Sequence, residues 1–104
     1  MPLFMTQFTY TSEGWNSLVR NPQDRTRAFA ELFQRMGGKL LSHYLCFGDY
    51  DSLLIAEAPN ETVMTSALLA VIADGHVKDM RTTVLLTSEQ GVEAMRKAAG
   101  RPPA

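Results

Sequence analysis

The residues with the clearest chemical potential lie in one short segment, Phe47-Gly48-Asp49-Tyr50-Asp51. Two carboxylates and a phenol at the rim of a cavity could serve a reaction, because burial would raise a carboxyl pKa toward the range of a general base. The same residue types are typical of a hairpin turn, since glycine tolerates positive φ and aspartate accepts hydrogen bonds from backbone amides. Tyr50 and Asp51 are therefore candidate site residues, with a purely structural turn as the alternative.

His43 and Tyr44 are the next candidates, in a segment that reads as a β-strand. Alternation along a strand places His43 on the face of Leu41 and Leu45, and Tyr44 on the opposite face with Leu40. A histidine that points into a cavity could shuttle protons or act as an axial haem ligand, because its pKa of about 6.5 lies near neutrality. A hydrogen-bonded structural histidine is the alternative.

The remaining candidates are single residues. Arg81 could bind an anionic ligand through its planar guanidinium, or pair with a surface carboxylate. Cys46 has apolar neighbours, which favour an inert, half-buried thiol. His76 is expected in an exposed loop, and the two histidines have no third ligand nearby in sequence, so no metal site is predicted. We also find no phosphate-binding loop or catalytic triad spacing, and we predict no cofactor.

The first half of the chain predicts a strand and two helices. Residues Leu3 to Tyr10 alternate between the two faces of a strand and are rich in aromatic and β-branched types. Apolar residues then recur at helical intervals from Trp15 to Met36, with a break at Asn21-Pro22. That pair predicts an N-cap and first-turn proline for the second helix, and Gly37-Gly38 predicts its end.

The second half predicts a regular succession of elements bounded by turn and capping residues. They are a strand over 39–47, a strand over 52–58, a helix from the N-cap Asn60 to Gly75, a strand over 76–87, and a helix to about Ala99 that opens with a capping box at Thr87 to Gln90. Residues 1–99 are thus expected to form one domain, followed by a disordered C-terminal tail over 100–104.

This order predicts an α+β fold of the ferredoxin-like type, β-α-β-β-α-β, with a four-stranded antiparallel sheet, the helices on one face and an extra C-terminal helix. The strands are apolar on both faces, at Leu40-Leu41, Leu53-Leu54-Ile55 and Val84-Leu85-Leu86. A sheet with one solvated face should instead alternate between apolar and polar residues. We therefore predict that a second copy covers the free face, giving a homodimer with a barrel-like arrangement and a cavity at the sheet.

The Gly48-Asp49-Tyr50-Asp51 segment, together with Glu57-Ala58-Pro59 one strand later, resembles the GYD domain family. The resemblance covers the chain from the first strand through Thr87. It implies the dimeric α/β-barrel superfamily, whose members include cofactor-free monooxygenases, small isomerases and haem-handling proteins, and it implies a fold and a dimer rather than one reaction. The sequence departs from the family pattern at Cys46 and Leu86.

Composition limits the possible partners. The 104 residues suffice for one domain, and 10 Lys and Arg against 11 Asp and Glu leave no basic stripe for nucleic acid or anionic lipid. A single cysteine fits a reducing compartment, and no apolar run approaches the roughly 20 residues that span a bilayer. We expect a cytoplasmic protein without a signal peptide or membrane span.

The sequence thus favours a small homodimer of unknown function whose cavity at the sheet holds a small apolar or aromatic molecule. The polar groups expected to reach that cavity are His43, Tyr44, Tyr50, Asp51 and Arg81. Two alternatives stay open at this point: a cofactor-independent small enzyme of the monooxygenase or isomerase type, and a purely structural or assembly module.

Overall fold

A computed structural model describes residues 1–100 of the chain. Its elements, in chain order, are β1 (Leu3–Tyr10), α1 (Ser12–Arg20), α2 (Thr26–Arg35), β2 (Lys39–Leu45), β3 (Ser52–Glu57), α3 (Glu61–Ala73), β4 (Val77–Leu85) and α4 (Ser88–Ala99). Of the tail predicted over 100–104, residues 101–104 lie outside the described part of the chain.

The four strands form one antiparallel sheet in the order β2-β3-β1-β4. The central strand β1 pairs with β3, where Met5 lies opposite Ile55, and with β4, where Phe4 lies opposite Val84. The ferredoxin-like prediction is confirmed, because the outer strands of the sheet come from the middle and the end of the chain.

The core lies between the sheet and the helices. Alternate residues of β1 point to the helices and are buried, namely Phe4, Thr6, Phe8 and Tyr10. They pack against buried residues of α2 and α3, among them Phe29, Phe33, Met64 and Ala67. Burial of each phenylalanine contributes about 1.5–3 kcal/mol, so this aromatic layer fixes the position of α2 on the sheet.

Local capping residues set most of the helix ends. The Asn60 side chain accepts a hydrogen bond from Val63 N at 2.9 Å, as predicted for an N-cap. The predicted capping box of α4 is present between Thr87 and Gln90. At the end of α2, Gly37 adopts a φ of +82°, and the amide of Gly38 donates to the Phe33 carbonyl at 2.8 Å.

The predicted start of α2 at Asn21-Pro22 is wrong. Asn21 instead ends α1, and α2 begins at Thr26. The Asp24 carboxylate accepts a hydrogen bond from Thr26 N at 2.9 Å and ends the loop between the two helices. Local side-chain bonding of this kind gives the chain an alternative to early helix formation.

Both edge strands of the sheet are irregular. In β2 the pairing slips between Leu40 and Ser42, and in β4 it slips near Asp79, which has a φ of +49°. The prediction that Leu40 and His43 lie on opposite faces of β2 is wrong because of this slip. Both residues pair with buried residues of β3 and therefore face the helices. The strand also ends at Leu45 rather than Phe47, which is 89% exposed.

The open face of the sheet, the one turned away from the helices, is apolar. Its half-buried or exposed side chains include Leu3, Met5, Tyr44, Leu53, Ile55 and Leu85. No element of residues 1–100 packs over this face, since the other three helices follow the buried side and α4 has no buried residue. The sequence prediction that the sheet is apolar on both faces is confirmed within the single chain.

Helix α4 extends away from the rest of the domain. Its residues are exposed apart from the half-buried Gly91, and they include the apolar Val92 and Met95. The molecule measures 60 × 30 × 20 Å, with a radius of gyration of 16.6 Å against about 13 Å for a compact chain of this length. Within residues 1–100, no helix has the length and apolarity needed to cross a membrane.

Candidate functional site

A cleft lies between α2, α3 and the end of the sheet where β1 and β4 meet. It has a volume of about 250 Å³. Its apolar wall comes from α2, α3 and β4, through Ala28, Phe29, Leu32, Val71 and Val77. Tyr10 of β1 and the polar residues Arg25, Arg35, Asp74 and His76 complete the lining. A cavity of this size, with apolar walls and a few polar groups, is suited to a small molecule. We call it the helix-side cleft.

Tyr10 reaches the helix-side cleft from the last position of β1. It is 5% exposed, and its hydroxyl is enclosed by protein next to the Ser52 side chain. Burial raises the pKa of Tyr10, although a side-chain hydrogen bond with Ser52 and the Arg25 charge oppose that change. The phenol therefore keeps its proton at neutral pH, and the edge of its ring forms part of the cleft wall.

Arg25 provides a positive charge next to this phenol. Its guanidinium carbon lies 5.7 Å from the centre of the Phe29 ring, in cation–π geometry. The half-buried side chain borders the helix-side cleft and also a second cavity of about 270 Å³, which Asp24 and His43 line as well. Within residues 1–100, no carboxylate comes within salt-bridge distance of Arg25, so its charge is available to a ligand.

His43 links α2 to the sheet. Its Nδ1 lies 2.9 Å from Thr26 Oγ1, and its Nε2 lies 2.9 Å from Ser52 Oγ. The ring also packs edge-on against Phe29, with 5.1 Å between centroids. Burial lowers the pKa of His43, an effect that Asp24 opposes and Arg25 reinforces. The neutral ring thus holds two hydrogen bonds that position α2, and both of its nitrogens are engaged.

Asp51 and Tyr50 lie in the connection between β2 and β3. The Asp51 carboxylate accepts hydrogen bonds from Tyr10 N at 3.0 Å and from Trp15 Nε1 at 3.3 Å. The Tyr50 carbonyl accepts a hydrogen bond from Cys46 Sγ at 3.2 Å. The Asp51 carboxylate therefore connects the turn to α1 through Trp15 and to the end of β1 through the main chain of Tyr10.

The other two candidates lie elsewhere. Tyr44 is 63% exposed and pairs with Leu53 on the open face. Arg81 is exposed and pairs with Gln7 on the same side of the sheet. The five residues singled out from sequence are therefore divided between two faces and a turn, with His43 and Asp51 next to the helix side and Tyr44 and Arg81 on the open face.

Sequence reasoning missed Tyr10 and Arg25, two of the polar residues that line the cleft. The signal for Tyr10 was available, because a tyrosine at a core-facing strand position must bury its hydroxyl. Nothing in the sequence marks Arg25, since the pattern predicts helix where the loop before α2 lies. In the described part of the chain, no three His, Cys, Asp or Glu side chains come together as a metal site.

Comparison with known proteins decides the family. The GYD domain profile matches residues 4–95, which is most of the chain and includes all four strands apart from Leu3. The chain belongs to the GYD domain family. The resemblance inferred from Gly48-Asp49-Tyr50-Asp51 is thereby confirmed.

Two individual proteins are similar to this GYD domain. A protein from Thermus thermophilus named glutamine synthetase and cystathionine beta-lyase binding protein is 31% identical over 80 residues, which cover 77% of this chain and 84% of that protein. The crystal structure of a transcriptional regulator from Neisseria meningitidis in complex with L-Met matches with a TM-score of 0.53 at 16% identity. That match covers 83% of this chain but only 50% of the regulator, and at this identity it supports the fold alone.

Proposed function

We propose that this GYD domain is a homodimeric binding module that holds a small apolar or aromatic molecule in the helix-side cleft. The observation that carries the proposal is the cleft itself, where apolar side chains of α2, α3 and β4 lie beside the guanidinium of Arg25, which has no carboxylate within salt-bridge distance among residues 1–100.

The open face supports self-association. Contiguous apolar side chains on a monomer surface usually mark an interaction site, and a second copy offers the same apolar surface in return. Two open faces in contact would cover Met5, Leu53 and Ile55 on each sheet. We also propose a cytoplasmic location, because a single cysteine fits a reducing compartment.

Native mass spectrometry of protein purified without added ligand tests both parts. We expect a species of twice the 11.6 kDa chain mass, with an additional small mass on part of the population. Ile55→Glu should give a monomer, because it places a charge at the centre of the proposed contact. Val19→Glu is the matched control, as Val19 is an exposed apolar residue on α1. A wild-type monomer would refute the dimer, and a cleft that binds no member of a small aromatic library would refute the binding function.

A second candidate is a module that binds a partner enzyme. The name of the Thermus relative supports it, and so does the exposed apolar surface of α3 and α4, which includes Leu69, Ile72 and Met95. Co-purification with glutamine synthetase from the source organism, lost in a Leu69→Glu and Ile72→Glu double variant, would favour this candidate. Retention of the complex by that variant would rule out α3 as the contact.

The third candidate, a cofactor-independent enzyme, finds less support at the cleft. A general base needs a free ring nitrogen or carboxylate oriented toward its substrate. The nitrogens of His43 instead bond Thr26 and Ser52, and the Asp51 carboxylate bonds Tyr10 N and Trp15. Turnover that His43→Gln abolishes without loss of ligand binding would restore the enzyme interpretation.

A further inference from the structure

We infer that two copies of this chain meet through their open faces with the strand edges exchanged, so that Arg81 of each copy packs on Tyr44 of the partner subunit. This inference rests on the proposed homodimer and adds the orientation and the contact residues to it. Copies related by a twofold axis offer the same surface to each other, so every contact between two different residues occurs twice. The distribution of side chains over the open face then decides which orientation joins compatible groups.

The register of the four strands divides the open face into rows. Each row holds one residue from β2, β3, β1 and β4, because residues directly opposite each other point to the same side of a sheet. The first row is Tyr44, Leu53, Gln7 and Arg81, the second is Ser42, Ile55, Met5 and Thr83, and the third is Lys39, Glu57, Leu3 and Leu85. The first row thus has an aromatic ring at one edge and a guanidinium at the other, and the second row has a hydroxyl at each edge.

Two orientations bring the open faces together with their strands aligned. In the edge-exchanged arrangement the twofold axis runs along the strands, and β2 of one copy faces β4 of the other. In the edge-matched arrangement the axis runs across the strands, and β2 faces β2. Packed sheets cross at about 30°, which displaces the edge residues by roughly 4 Å, less than the roughly 6.8 Å between rows. Each row therefore faces one row of the partner in either arrangement.

The edge-exchanged arrangement places each row against the same row of the partner. The Arg81 guanidinium then lies over the ring of the partner's Tyr44, a cation–π contact that becomes stronger as water is excluded. Both residues are available for it, since Tyr44 is 63% exposed and, within residues 1–100, neither a carboxylate nor an aromatic ring pairs with Arg81. In the second row, the polar edge at Ser42 faces the polar edge at the partner's Thr83.

The edge-matched arrangement places the first row on the third. Arg81 then lies against the partner's Leu85, and its charge loses water without a group that compensates it. The third row does not distinguish the arrangements, because Glu57 faces a leucine of the partner in both and has Lys39 opposite it on its own sheet. The position of Arg81 therefore favours exchanged edges.

Thiol cross-linking tests the orientation. The double variant Ser42→Cys and Thr83→Cys, in a Cys46→Ser background, has one thiol at each edge of the second row, and these are roughly 14 Å apart within one sheet. Bismaleimidoethane, whose spacer is shorter than that distance, should convert the purified double variant mainly into a covalent dimer on a denaturing gel. The two single variants in the same background are the matched controls and should stay monomeric on the gel.

The possible results separate the orientation from the dimer itself. A covalent dimer from Ser42→Cys alone would show the edge-matched arrangement and overturn the inference, while the proposed homodimer would stand. A double variant that is dimeric by native mass spectrometry and does not cross-link would overturn it as well. A wild-type protein that is monomeric by native mass spectrometry would refute the homodimer together with the inference.

Exchange of the two residues tests the pair. Tyr44→Arg should raise the dimer dissociation constant about tenfold or more in sedimentation velocity at pH 7, because it sets a second guanidinium against the partner's Arg81. Adding Arg81→Tyr rebuilds the pair in reverse order and should return the constant to within about threefold of the wild type. Tyr44→Arg with Arg20→Tyr, at an exposed position of α1, is the matched control and should show no recovery. Recovery in both double variants, or in neither, would overturn the pairing of Arg81 with Tyr44.

Discussion

At the scale of single residues, the Asp51 carboxylate stabilises the fold through hydrogen bonds, whereas Asp49 in the same turn makes none of these contacts. The Asp51 carboxylate accepts from Tyr10 N and Trp15 Nε1, while Asp49 is exposed. We predict that Asp51→Ala lowers the free energy of unfolding by about 1–3 kcal/mol, because two donors lose their acceptor. Asp49→Ala should change it by less than about 0.5 kcal/mol. Urea denaturation followed by Trp15 fluorescence measures both, and equal effects would show that the turn, not the carboxylate, matters.

His43 predicts how stability depends on pH. Its pKa is lower in the folded protein than in the unfolded chain, because burial disfavours the charged ring. As the pH falls below about 6.5, the unfolded chain therefore takes up a proton first, and stability decreases until the folded pKa is reached. We expect the melting temperature to fall from pH 7.5 to 5.5, and to fall less in His43→Gln. An identical pH profile in the variant would remove His43 as the cause.

At the scale of elements, two helical glycines should respond to alanine in opposite ways. A Cβ at Gly14 of α1 would meet the backbone carbonyl of His76, whereas a Cβ at Gly91 of α4 meets no atom within 4 Å. Gly14→Ala should cost about 1–3 kcal/mol through overpacking. Gly91→Ala should not lower the melting temperature and should increase helical circular dichroism. Unfolding curves and spectra of the two variants check this contrast.

Most elements followed from local patterns, and the failures had long-range causes. The alternation in β1, the N-cap at Asn60 and the capping box at Thr87 are decided by near neighbours, so the sequence revealed them. The slip in β2 depends on pairing with β3, which no residue near Leu41 indicates. That slip decides which side Leu40 takes relative to His43.

The cleft was less predictable than the fold, because it joins residues far apart in the chain. Tyr10, Arg25 and Val71 come from β1, from the loop before α2 and from α3, and they meet only after the helices pack on the sheet. The residue types of the turn at 47–51 predict either a carboxylate at a cavity or a hairpin turn. The Asp51 carboxylate accepts a hydrogen bond from the main-chain amide of Tyr10.

At the scale of the whole molecule, α4 should be separable from the folded core. Ala94→Pro should disrupt α4, since proline costs about 3 kcal/mol in a helix interior. It should leave the melting temperature of the core unchanged, because α4 buries no residue. Ala67→Pro, in the buried part of α3, should instead unfold the protein. Circular dichroism and thermal melts distinguish the two, and a large loss of stability in Ala94→Pro would place α4 against a second copy.

The irregular edges of the sheet determine how copies of this chain can accumulate. A new strand added beside β2 or β4 would meet a slipped register near Leu41 or the turned backbone at Asp79, so hydrogen-bonded growth from either edge is hindered. In the proposed dimer, the attraction comes from the open face, and two such faces in contact cover each other. Assembly by faces stops at a pair, whereas assembly by edges continues into a fibre. Concentrated protein should therefore saturate as a closed species and give no thioflavin-positive fibrils.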